Sequence, residues 1–327
     1  QRLFSFGEAL FDQDFVASGG ADPTSADPTM DGLGPLFNSA SCTSCHVDGG
    51  RGVPPDAANR DGEAVGLLLR FSVPGVDPLT GGPLPDPNYG IQLQDRSIDG
   101  VPIEGRLEVS YEVVAETLSE GETYELRRPT FTVVDLTAGP LAPDVLTSPR
   151  LAPQLVGMGL LEAVPESALL EAADPDDADG DGISGRVNVV GDSMTGNSLV
   201  GRFGWKANVA TILNQVADAF HTDIGITNYF HPRETCTVVQ TECLAAPLSG
   251  FFDMDDDRIR AVVFYNQALA VPAARNLDDP DVAAGAQLFD DFGCASCHTP
   301  THTTAQAAIP AFSNQTIHPY TDLLLHD

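Results

Sequence analysis

Phe6, Leu10, Phe11 and Phe15 recur at steps that place them on one face of a helix, so the spacing predicts a helix over residues 6–15. A stretch rich in Asp, Pro and Gly follows over 18–34 and reads as loop. The apolar period then changes. Leu67-Leu68-Leu69-Arg70-Phe71, Tyr89 to Asp95, Leu107 to Val114 and Tyr124-Glu125-Leu126 are rich in branched and aromatic residues between Gly and Pro punctuation. They predict a β-rich insertion over about 66–136. Beyond residue 150 the helical period returns at Ala168 to Ala173, Val209 to Phe220 and Ile259 to Ala270. Val209, Ile212, Leu213, Val216 and Phe220 form the apolar stripe of the second of these. Asn276 to Pro280 reads as a linker.

The chain has 327 residues, 42% of them hydrophobic, which is enough for a sizeable core and for one to three domains. No stretch approaches the roughly 18 apolar residues of a membrane-crossing helix. The formal net charge is −31 and Lys206 is the only lysine. Such a surface repels nucleic acid and anionic membranes. It serves solubility, and it could also steer a basic electron-carrier protein.

Two pentapeptides change the picture: Cys42-Thr43-Ser44-Cys45-His46 and Cys294-Ala295-Ser296-Cys297-His298. C-x-x-C-H is the attachment pattern of c-type haem. Its two thiols can add to the two vinyl groups of one porphyrin, and the adjacent His becomes the proximal ligand of the iron. A Leu-Phe pair, Leu36-Phe37 or Leu288-Phe289, ends five residues before each first Cys, which predicts one helix-then-haem unit used twice. The alternatives fit less well. A zinc site would need paired knuckles, whereas these pairs lie roughly 250 residues apart with a His attached to each. A thioredoxin-like pair would need a βαβ setting. The residues therefore imply two covalent haems held by Cys42, Cys45 and His46 and by Cys294, Cys297 and His298.

Such haem is normally installed outside the cytoplasm, so the sequence is read as an exported, periplasmic or extracellular chain whose signal peptide has been removed. Cys236 and Cys243 close a short loop and fit a disulfide in an oxidising compartment, with two free thiols as the alternative. Asp177, Asp179 and Asp181 occupy alternate positions of an acidic loop (174–188) in which Gly182 follows. With the Ile183 carbonyl and Asn188 they form a calcium-type ligand set, although Asn188 stands where a helix-loop-helix site has Glu. The distal ligands are open: His326 and His221 lead, with His231, His318 and Met158 behind them, while His302 reads as a surface residue. Peroxide chemistry needs a group that moves a proton, and Glu162, eight residues after Gln154, is the candidate.

Several further segments are familiar: Gly32 to Asn38, Tyr89 to Asp95, Arg127-Arg128-Pro129, Ala152 to Glu162, Gly201 to Ala207, Asp223 to Thr227 and His318 to Asp327. Through them most of the chain resembles the di-haem oxidoreductases, distant relatives of bacterial di-haem cytochrome c peroxidases. The resemblance implies a mainly α fold of two cytochrome-c-like haem domains with the β-rich insertion. The first domain would span 1–270 and the second would begin at 271–327, continuing past the last residue given. It implies peroxide reduction with electrons from a donor protein such as a small cytochrome, and it makes Trp205, otherwise a core residue, a candidate electron relay. An electron-transfer cytochrome without a substrate site and a protein-modifying di-haem oxidoreductase are the other readings.

Overall fold

The computed structural model describes residues 1–17, 31–55, 66–78, 81–192, 194–247 and 252–326. The expectation of a mainly α chain is overturned: 25% of the chain is helical and 25% is strand. Seven α-helices lie among the described residues, α1 Arg2–Asp12, α2 Met158–Glu162, α3 Glu166–Ala172, α4 Ile212–Asp223, α5 Thr241–Leu244, α6 Asp256–Ala268 and α7 Pro280–Asp291. They share the chain with several small sheets.

The largest core is helical. Leu10 and Phe11 of α1, Ile212, Val216 and Phe220 of α4, and Ile259, Val262 and Tyr265 of α6 are all buried in it. The helices start where local chemistry directs. Thr211 Oγ1 accepts the Asn214 amide (3.1 Å) and Asp255 Oδ1 the Arg258 amide (2.9 Å), satisfying donors that the first helical turn leaves open. Asp279 caps α7 in the same way, with Pro280 just inside it. α1 and α6 touch backbone to backbone at Gly7, where a β-carbon would lie 2.1 Å from the Ala261 carbonyl oxygen.

The β-rich part is longer than its sequence signal. Leu67–Ser72 pairs antiparallel with Leu146–Leu151, a partner some 80 positions on that the alternation over 66–136 does not reveal. Tyr89 to Asp95 is not a regular strand; it runs beside Leu69 to Phe71 through isolated bonds, Phe71 N–H to Ile91 O and Leu93 N–H to Leu69 O (both 2.9 Å). Arg106–Thr117 and Thr123–Val134 form one long hairpin closed at Leu118 to Glu122. Its base packs, with Leu107 and Val133 against Leu69, Phe71, Tyr89 and Leu93, and farther along Tyr111 Oη donates to the Pro55 carbonyl.

A buried polar chain ties the insertion to the helical core. Gln92 Nε2 donates to Asn38 Oδ1 (2.7 Å) and Asp223 Oδ1 (2.9 Å), and Gln94 Nε2 donates to the Thr222 carbonyl (2.8 Å). Glu104, only 2% exposed, accepts the Gln94 amide and Gln240 Nε2 (both 2.6 Å). Burial foremost pushes its carboxyl up to about 8. Between the ordinary carboxylate range and that value the folded chain holds a proton that the unfolded chain has lost, so stability from this group falls as pH rises through that window. The upper bound is about 5 kcal/mol, because each tenfold change in proton affinity is worth about 1.36 kcal/mol. We expect the melting temperature of the unaltered chain to fall between pH 5 and pH 8 more steeply than that of Glu104→Gln. Parallel profiles would show that Glu104 ionises in the fold as freely as in the unfolded chain.

Candidate functional site

The two C-x-x-C-H segments adopt the same turn. His46 N–H reaches the Cys42 carbonyl (3.0 Å) and His298 N–H reaches that of Cys294 (2.9 Å). The imidazole of each motif is oriented by its Nδ1. His46 Nδ1 lies 2.8 Å from the Pro153 carbonyl and His298 Nδ1 lies 3.1 Å from that of Tyr320. A carbonyl only accepts, so both Nδ1 atoms carry the proton and each Nε2 presents its lone pair. This is how iron-ligating histidines are held. None of the four cysteines is in a disulfide. Burial first, then the Asp223 carboxylate, pushes the Cys42 thiol up to about 12, and Cys45 is raised by the same two causes. These are neutral thiols rather than reactive thiolates. Among the described residues the one cluster of groups that could hold a metal ion is Asp174, Asp177 and Asp179, without a cysteine.

The structure corrects the repeat. Leu36–Phe37 is a two-residue strand, whereas Leu288 and Phe289 lie in α7. The true counterpart of α7 is α1: Gly7-Glu8-Ala9-Leu10-Phe11-Asp12 matches Gly285-Ala286-Gln287-Leu288-Phe289-Asp290. Phe11 stands 6.4 Å from the His46 ring and 5.2 Å from Tyr265; Phe289 stands 6.2 Å from the His298 ring and 5.4 Å from Tyr320. α1 buries Gly7, Leu10 and Phe11, but α7 buries no residue and leaves Leu288 half exposed. Two thiols, an aligned imidazole and an uncovered apolar helix face fit a porphyrin at the second motif. The first motif fits one against α1 and the loop from Ala152 to Leu155.

Glu162 ends α2 and is held from both sides. Its Oε1 accepts the Ile212 amide (2.8 Å) and its Oε2 accepts Gln267 Nε2 (2.7 Å). It lines an open cleft of about 370 Å³ together with Gly159, Arg202, Gln267, Ala305 and Phe312. The lining comes from Gly159 to Glu166 on one stretch of chain and Ala305 to Ile309 on another. Arg202 spans the end of α2, donating to the Leu161, Glu162 and Val164 carbonyls, so its guanidinium is committed to the backbone. Gln154 lies apart from Glu162, exposed, and accepts from Arg51 Nε (2.9 Å). Trp205 is 54% exposed rather than buried. Its Nε1–H donates to the Leu151 carbonyl (2.7 Å), two residues before Pro153.

Each candidate distal ligand has its own neighbours in the structure. His326 uses both nitrogens, Nδ1 on the Ser184 carbonyl and Nε2 on Asp322 Oδ2 (both 2.7 Å). His221 Nε2 bonds the Arg233 carbonyl (2.8 Å) and its ring stacks on His231 at 4.6 Å. Burial foremost, then His231, pushes its imidazole down to about 4. His231 Nε2 is on Asp218 (2.6 Å), His318 is exposed, and Met158 packs on the main core. His302, expected at the surface, is only 9% exposed. In the acidic loop, carboxylate oxygens of Asp174, Asp177 and Asp179 come within 4.8 Å of one another. Asp181 instead accepts the Ile183 amide, and Asn188 Nδ2 donates to the Lys206 carbonyl. Cys236 and Cys243 are joined in a disulfide.

A family model described as "Di-haem oxidoreductase, putative peroxidase" matches residues 3–327. No curated protein and no solved structure matches the chain. Among the described residues no helix is long and apolar enough to cross a membrane.

Proposed function

The chain belongs to the di-haem oxidoreductase family, and from that premise we propose that it is an exported peroxidase carrying two covalent haems, reducing hydrogen peroxide with electrons from a small donor protein. The observation that carries the reading is the duplicated C-x-x-C-H turn with each Nδ1 committed to a backbone carbonyl. When bound, haem would supply one-electron redox chemistry and an iron at which peroxide could be reduced. The chain supplies the rest. Cys42 and Cys45, and Cys294 and Cys297, would tether haem, and His46 and His298 would ligate its iron. Glu162 is the group placed to pass a proton: it lines the cleft, and each carboxylate oxygen keeps a lone pair beyond the hydrogen bond it accepts. Trp205 gives a donor protein an exposed aromatic contact, bonded to the strand that leads to His46's acceptor. The disulfide Cys236–Cys243 agrees with an oxidising compartment. The oxygens of Asp174, Asp177 and Asp179 are hard donors of the kind calcium takes.

The test uses the chain matured with covalent haem. Metal analysis should return two irons and one calcium per molecule. The ferric and the half-reduced forms should be mixed with hydrogen peroxide while the visible spectrum is followed. The expected result is a spectral change in at least one form, and steady turnover when a reduced small cytochrome is present, slower in Trp205→Phe. If neither form responds, both irons are closed to peroxide and the chain is an electron carrier.

A further inference from the structure

The two proximal acceptors are held still by different means. Pro153 has its backbone fixed by its ring, and its neighbours are pinned: the Ala152 carbonyl accepts from Gly52 N–H (2.9 Å) and Leu155 N–H donates to the Gly49 carbonyl (2.8 Å). Tyr320 has no such ring. It lies in a strap from Tyr320 to His326 in which Tyr320 and Leu323 both take left-handed backbone, at φ 53° and 61°. A residue with a β-carbon stays in that region only where its surroundings hold it.

Within the strap Leu323 N–H reaches Thr321 Oγ1 (3.2 Å) and Leu325 pairs with Arg186; beside His298's acceptor itself the side chain that grips the turn is His302. Its Nε2 lies 2.7 Å from the Thr321 carbonyl, the residue next to His298's acceptor, and Nε2 must be the protonated nitrogen because a carbonyl only accepts. His302 is itself fixed, buried and paired with Ile317 in the short ladder His302–Thr303 with Thr316–Ile317. His298 and His302 thus grip consecutive carbonyls of one strained turn.

We propose that His302 is a positioning residue for the second haem: by clamping the Thr321 carbonyl it fixes the Tyr320 carbonyl against His298 Nδ1–H, and so sets how strongly His298 donates to iron. The inference rests on the haem reading of the second motif and takes the role that a proline performs at the first. A firm Nδ1–H···O=C bond makes the imidazole more basic and favours ferric iron. Loosening the turn therefore moves one haem toward its reduced form and leaves the other where it was.

The experiment compares unaltered, His302→Phe and His302→Gln holoprotein. Haem content is counted first, then both midpoint potentials are read by spectroelectrochemical titration. Phe keeps the ring volume and loses the donor; Gln restores an N–H. With two haems bound, His302→Phe should shift the reduction equilibrium of one haem about tenfold, or about 59 mV for one electron. The other midpoint should not move, and His302→Gln should recover most of the shift. Loss of the second haem in Phe with retention in Gln carries the same meaning. Equal midpoints in all three proteins, equal shifts in Phe and Gln, or loss of the haem in both variants would overturn the inference. Fewer than two haems in the unaltered protein would instead overturn the haem reading beneath it.

Discussion

Replacing Cys42 and Cys45 together by serine will leave one covalent haem per molecule, abolish peroxide turnover and lower the melting temperature; replacing Cys294 and Cys297 will halve the haem content too but barely change melting. The asymmetry follows from packing. Cys42 lies against the main core, and Gly66, in left-handed backbone at φ 70°, brings the start of the strand Leu67–Val76 against Cys45. His46 is tied to the Ala152–Leu155 loop and lies beside Phe11 of α1. A porphyrin there is part of the core, and its loss should cost about 3 kcal/mol, the scale of truncating a large buried side chain. At the second motif Cys294 is exposed and α7 buries nothing, so the remainder of the fold does not depend on the group. Pyridine haemochrome content and a melting curve of each variant check this. Unchanged haem content in either would refute thioether attachment at that motif, and equal melting losses would refute the packing argument.

How much of this is legible in the sequence depends on whether the signal is local. The C-x-x-C-H pentapeptides, the α4 stripe ending at Phe220 and the helix near Ile259 are local patterns, and the structure places α4 and α6 within three residues of where the spacing puts them. Pairing is not local. The strand Leu146–Leu151 carries Pro149 and Arg150 and shows no clean alternation, since its partner in Leu67–Ser72 rather than its own period makes it a strand. The mainly α fold class, taken from the resemblance, goes wrong because ladders between short, distant segments add strand that periodicity along the chain does not show.

The repeat teaches a sharper lesson. Gly-x-x-Leu-Phe-Asp occurs at 7–12 and again at 285–290, and either copy exposes the other. A fixed distance to the cysteines hides it, because about thirty residues, many of them Asp, Pro and Gly, separate α1 from Cys42 where only Asp291 to Gly293 separate the second copy from Cys294. What sets the unit is the Phe ring beside the His, not the count along the chain. Nearness in sequence says little about the distal ligands: in this structure His221 Nε2 bonds the Arg233 carbonyl, and His326 bonds the Ser184 carbonyl and Asp322. His302 gives no sequence signal, because a His four residues after another in a loop carries no pattern; only its contact with Thr321 marks it.

Glu162→Gln should lower peroxide turnover by roughly 10²- to 10⁴-fold, the usual worth of a positioned acid or base, while leaving both haems in place and the fold nearly intact. The hydrogen bonds say why the fold survives. Ile212 N–H is a fixed donor, so the new amide must turn its oxygen toward it and its nitrogen toward Gln267. Gln267 can rotate its own amide to offer an oxygen in return, so the pair is kept at a cost of about 1 kcal/mol. Glu162→Ala differs, because it strands the Ile212 amide in the first turn of α4 and should cost about 1–3 kcal/mol. Comparing the two therefore separates the two jobs of this residue. If the carboxylate moves the proton, both variants lose turnover, and Ala loses more stability than Gln. If it is only the tie between α2, α4 and α6, Gln keeps turnover within about threefold, and the proton must come from another group lining the cleft. Steady-state rates with a reduced small cytochrome, set beside melting curves and haem content of the same samples, decide between them.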